Sequence, residues 1–111
     1  MSEIGNALDA LMETVDARKG ADPSESYTAS LLAAGRERCA KKFGEEAVEA
    51  ALAGALGNRA ELTGEAADVL YHLSVLLASN DLRWDDVADE LRRRTGRSGH
   101  VEKASRQSFQ S

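Results

Sequence analysis

One proline, one cysteine and an aromatic content of 5% deprive this sequence of the materials for several architectures. The lone Cys39 has no partner for an intrachain disulfide and, set in an apolar pattern, reads as a small buried residue. Runs of valine, isoleucine and threonine alternating with polar residues are absent, so no β-sheet is expected. No stretch approaches the roughly 20 apolar residues that a membrane-spanning helix needs. The opening "MSEIGNALDALMETVDARKG" carries acids where a secretory leader has a basic region and an apolar run, so the expected compartment is the cytoplasm. Basic excess is missing too. A formal net charge of -5 argues against a nucleic-acid or anionic-membrane surface, and leaves open a polyanionic small molecule only where cations gather locally.

What remains is alanine, leucine, glutamate and arginine, the composition of an all-α chain. Its 111 residues suit one domain, small enough that oligomerisation is a natural source of extra burial. Helical spacing of Ile4, Leu8, Leu11 and Val15 predicts a first helix over about Ile4 to Arg18, ended by Lys19, Gly20 and Pro23. Asp22 and Ser24 are expected to cap a short second helix that carries Tyr27, Leu31 and Leu32 and stops at Gly35. A third helix, about Arg36 to Leu56, has a narrow seam of Cys39, Phe43, Ala47, Ala50 and Ala51; Gly44 within it suggests close approach of a ligand or another backbone. After "GNR", Asn58 and Glu61 form a capping-box-like start to a fourth helix that reaches about Ser79. Leu62, Ala66, Val69, Leu70, Leu73, Leu76 and Leu77 make it the most apolar of the set, broad enough to face two neighbours. A fifth, about Trp84 to Arg94, is expected to bury Trp84, Val87, Ala88 and Leu91. Residues 1-98 thus read as a helical bundle of about five helices completed by homodimerisation, and residues 99-111 as a mobile tail that a ligand or partner can order.

The acids are the chemical signal. Residues three and four apart share a helix face, so Glu46 and Glu49 project together, as do Glu65 and Asp68. The short "GNR" break favours antiparallel packing of the third and fourth helices, and the two pairs stand at similar distances on either side of Asn58. Four carboxylates then converge on a common centre. Hard oxygen ligands without matching cysteine or histidine suit Mg2+, with Mn2+ as a substitute, rather than zinc. The bland alternative is a solvated acidic face on a helical dimerisation module. His72 continues the Glu65 and Asp68 stripe and reads as a hydrogen-bonded helix histidine rather than a ligand; Glu45, off the pair, is expected to pair with Lys41 or Lys42.

"KKFGEEAVEAAL" followed by "ELTGEAADVLYHLSVLL" resembles the EExxE and ExxD signature of the all-helical nucleotide pyrophosphohydrolases of the MazG-like superfamily. "SYTASLLAAG" and the closing "HVEKASR" make the chain most similar to the phosphoribosyl-ATP pyrophosphatase family within it, over nearly its whole length. Phe43 departs from the pattern, standing where an aliphatic residue is commoner.

The resemblance implies Mg2+-dependent hydrolysis of phosphoribosyl-ATP to phosphoribosyl-AMP and pyrophosphate, the second step of histidine biosynthesis, by a homodimer. A housekeeping pyrophosphatase acting on other nucleoside triphosphates would use the same acids. In either case Glu46, Glu49, Glu65 and Asp68 are the expected metal ligands, and Glu46 or Glu49 the base that takes a proton from the attacking water. Lys42, one turn before Glu46, is the first expectation for a phosphate contact, with Glu45 beside it; Lys103 and Arg106 of the tail are expected to close over the substrate. Arg92, Arg93 and Arg94 read instead as a solvated helix end favoured by the helix dipole.

Overall fold

The computed structural model describes residues 2–95, and its elements are five α-helices joined by short turns. They are α1 (Glu3–Ala17), α2 (Tyr27–Ala34), α3 (Arg36–Ala55), α4 (Arg59–Ser79) and α5 (Trp84–Arg94). All five expected helices are present, with ends within a few residues of those read from the sequence. The all-α expectation therefore holds; the 99-111 tail lies outside the described residues.

Local chemistry explains the boundaries. Ser2 Oγ accepts the Gly5 N–H at the head of α1. At the head of α2 the cap is Ser26, whose Oγ accepts the Ala29 N–H, and not the expected Asp22 or Ser24. Asp22 is occupied one turn earlier, where its carboxylate accepts both the backbone N–H and the hydroxyl of Ser24. Gly35, at φ 102, ends α2 and begins α3, a conformation that side chains disfavour. The "GNR" break is a C-terminal glycine motif: Gly57, at φ 74, donates to Gly54 O while Asn58 N–H donates to Ala53 O. Asn58 then turns the chain into α4 by accepting the Glu61 N–H and donating its own amide to the Glu61 carboxylate, as the sequence suggested.

The longest packing seam runs between α3 and α4, and near the turn Gly54 faces Leu62. Across the far half of α4 lie α1, α2 and α5. Met12, Val15, Leu31, Cys39, Val75, Leu77 and Ala78 form the core there, with Leu11, Leu32, Leu73, Leu76, Trp84 and Val87 packed around it. Cys39 is buried as expected; its thiol donates to Leu31 O, and burial raises its pKa. Ser74 is fully buried among these apolar groups because both of its capacities are used: it donates to Leu70 O and accepts the Trp84 indole N–H, tying α5 to α4.

Several burial expectations fail in one direction. Ile4 is 57% exposed and Met12 takes the centre of the α1 face, because α1 meets α4 through its later turns. Leu62, Ala66 and Ala51 are exposed, and Leu91 stands 59% open beyond the end of the core. The close approach expected at Gly44 is not made within the described chain, where a Cβ at that position would meet open space. On α3, Val48, Leu52 and Leu56, spaced one turn apart, are exposed at 59%, 59% and 84%.

Candidate metal and phosphate site

Three of the four expected carboxylates meet. Glu46 and Glu49 on α3 and Glu65 on α4 each offer an oxygen, and these atoms lie within 4.8 Å of one another. The antiparallel α3–α4 turn brings them to one height. Asp68 is exposed and stands outside this set of oxygens, yet is near enough for its charge to act on Glu65.

Glu65 is the most informative member. Its Oε2 is buried with no hydrogen-bond partner among the described residues. Burial, then the charges of Glu49, Glu46 and Asp68, hold its carboxyl above the usual glutamate range. Like charges gathered around a partnerless buried oxygen fit a hard divalent cation, since ligands on opposite sides of one Mg2+ stand ~4.2 Å apart. The donor set contains oxygen alone, which suits a hard divalent cation.

The walls of the site come from α2 and α4. His72 is buried, with Nε2 4.0 Å from Glu46 Oε1, beyond direct hydrogen-bond reach. Its burial outweighs the neighbouring carboxylates and lowers its pKa, so it is neutral near pH 7. The rings of Tyr71 and Tyr27 stand nearly perpendicular to the imidazole, with centroids at 4.9 Å and 6.3 Å. The Tyr71 hydroxyl hydrogen-bonds Thr28 and so pins the first turn of α2 against α4.

Lys42 forms the expected ion pair with Glu45 at 3.3 Å. That hydrogen bond is the first cause that raises the ammonium's pKa, with the charges of Glu45 and Glu46 adding to it. Lys41, Arg36 and Arg38 are exposed on α3. Arg92 pairs with Asp89 and Arg93 with Glu90 on the surface of α5, in keeping with a solvated helix end. Lys103 and Arg106 lie outside the described residues, so the expected closure is not represented. Sequence reading missed the role of Tyr27 and Tyr71 as walls. Their signal was present in "SYT" and "LYH", whose tyrosines flank other site residues by one position.

Residues 8–95 match the family Phosphoribosyl-ATP pyrophosphohydrolase. Among curated proteins, the chain is 62% identical to the phosphoribosyl-ATP pyrophosphatase of Paracoccus denitrificans, over 89% of this chain and 92% of that protein. It is 60% identical to that of Rhodobacter capsulatus, over 90% of this chain and 97% of the relative. The protein of the same name from Jannaschia sp. is 54% identical over 89% and 97% of the two chains. The acidic signature, the helical hairpin that presents it and similarity over nearly the full length agree, and the chain belongs to the phosphoribosyl-ATP pyrophosphohydrolase family.

Proposed function

We propose that the α3–α4 carboxylates hold Mg2+ and hydrolyse phosphoribosyl-ATP to phosphoribosyl-AMP and pyrophosphate, the bond broken joining the α and β phosphates. The observation that carries this reading is the meeting of Glu46, Glu49 and Glu65, with the partnerless buried oxygen of Glu65 at its heart. Family membership and the names of the relatives supply the substrate.

Glu46, Glu49, Glu65 and Asp68 are the proposed metal ligands. A cation held by these four residues would supply charge to neutralise phosphate oxygens and to lower the pKa of a water. The residues themselves do the remaining work. Glu46 is screened by His72 and partly buried, whereas Glu49 is exposed, so Glu49 is the better placed to accept the proton of the attacking water. Lys42, an ammonium near pH 7, exchanges Glu45 for a phosphate oxygen of the substrate. Lys103 and Arg106 are proposed to bring further positive charge over the substrate from the 99-111 tail.

The active form is proposed to be a cytoplasmic homodimer. Val48, Leu52 and Leu56 form an exposed stripe on the helix that carries Glu49, and a second copy of the chain is the proposed cover. Fully burying each such side chain stabilises by about 1.5–3 kcal/mol, enough in sum to favour association. No helix among the described residues is long and apolar enough to cross a membrane.

The test offers the purified protein phosphoribosyl-ATP, dCTP and dUTP with Mg2+ and separates pyrophosphate from orthophosphate. The expected result is pyrophosphate, with a strong preference for phosphoribosyl-ATP. Orthophosphate release, or equal use of the three compounds, would sink the proposal.

A further inference from the structure

Tyr27 is the one exposed aromatic side chain among the described residues, at 54%. One exposed ring alone is ordinary, but the surroundings of this one give it a use. The residues on both sides of Tyr27 are anchored: Ser26 caps α2 through the Ala29 N–H, and Thr28 is hydrogen-bonded to Tyr71 of α4. The backbone under the ring is therefore fixed while the ring itself is left open. One side of the ring packs against His72, with centroids 6.3 Å apart and planes at 88°. His72 in turn stands 4.0 Å from Glu46, so a single buried imidazole spaces the tyrosine from the carboxylates. Lys42, the proposed phosphate contact, lies on α3 one turn before Glu46.

We propose that Tyr27 is a specificity-determining residue, a rigid shelf on which the purine of the substrate stacks while its phosphates lie toward Lys42 and the carboxylates. This rests on the proposed function, because it is the nucleotide substrate that supplies a base. The physical grounds are general: aromatic faces take bases at little cost in entropy when the ring is already held in place. The phosphates need cations, but the base does not, and it must find an apolar face close to the phosphate site. Tyr27 offers that face; Phe43, Tyr71 and Trp84 are partly buried.

Two variants separate this role from a merely structural one. Tyr27→Leu keeps an apolar residue at an exposed helix start and removes the ring; Tyr27→Phe keeps the ring and removes the hydroxyl. With Mg2+ present, Tyr27→Leu is expected to raise KM for phosphoribosyl-ATP about tenfold or more with kcat largely kept, the effect of losing ~1.4 kcal/mol of stacking. Calorimetry should find phosphoribosyl-AMP affinity reduced by a similar factor and the affinity for inorganic pyrophosphate, which has no base, unchanged. Tyr27→Phe should match the unsubstituted protein in all three. An unchanged KM and product affinity in Tyr27→Leu, or an equal loss of pyrophosphate affinity, would overturn the proposal. If the unsubstituted protein fails to hydrolyse phosphoribosyl-ATP, the functional reading falls and the shelf with it. If it succeeds and Tyr27→Leu is indifferent, the shelf alone falls.

Discussion

The two halves of α4 differ more than their sequences suggest. From His72 to Ala78 the helix holds five buried residues, His72, Ser74, Val75, Leu77 and Ala78, whereas from residue 59 to 68 only Glu65 is even partly withdrawn from solvent. Both halves contain leucine and alanine at helical spacing. The later half contributes Val75, Leu77 and Ala78 to the core with residues of α1, α2 and α5; the earlier half runs beside α3, where Leu62 faces Gly54, and displays acids and uncovered apolar residues. One end of the bundle is thus completed within the chain, and the other end leaves acids and apolar residues uncovered, which the proposed cation, substrate and second copy would cover. A helix that serves both needs shows where stability is made and where it is given up for chemistry.

The sharpest contrast comes from substituting each end. Glu49→Gln is expected to lower kcat/KM by about 10²–10⁴, the usual contribution of a positioned base, while leaving the urea unfolding midpoint unchanged or slightly higher because a like charge is removed. Loss of fold without loss of activity per folded molecule would reverse the assignment. Met12→Ala, at the core end, should do the opposite. It is expected to cost about 2–5 kcal/mol in equilibrium unfolding and to leave kcat of the folded fraction intact.

A pH series sharpens the same contrast. Glu65 is held above the ordinary glutamate range, so the folded, metal-free protein takes up a proton there before the unfolded chain does. Its contribution to stability is fully present below the unfolded pKa and is lost as pH rises through the folded one. In chelator, lowering the pH from about 7 toward that range should therefore recover stability from this group, and Glu65→Gln should abolish the recovery. Equal pH profiles for the two proteins in denaturant titrations would remove Glu65 from the account. The smallest effect is expected at Leu56, 84% exposed at the end of α3. Leu56→Ala should change the stability of dilute protein by no more than about 0.5 kcal/mol and yet weaken self-association in sedimentation.

The sequence made the helices legible because their ends are set by local chemistry: Gly35, Gly57 and Asn58 act on the backbone within a few residues of themselves. It misplaced burial where tertiary contact decides. Ile4 and Leu62 satisfy helical periodicity as well as Met12 and Leu77 do, and nothing local says which stretch of a helix has a neighbour. The cap of α2 was misread for a related reason, since Asp22 and Ser26 are both competent acceptors and Asp22 bonds Ser24 instead. Within the site, i to i+3 spacing and a tight turn sufficed to bring Glu46, Glu49 and Glu65 together. The position of Asp68 outside that set, the burial of His72 and the Tyr27–His72–Tyr71 wall depend on side-chain packing that spacing does not encode.

Direct measurement of cation binding tests the central claim. Mn2+ titrated into the protein near pH 7, with free ion followed by electron paramagnetic resonance, should saturate a site that Mg2+ displaces. Glu65→Gln should weaken that site by about tenfold or more without lowering stability in chelator. Equal Mn2+ binding by the two proteins, or none by the unsubstituted one, would contradict the assignment of the α3–α4 carboxylates as a metal site.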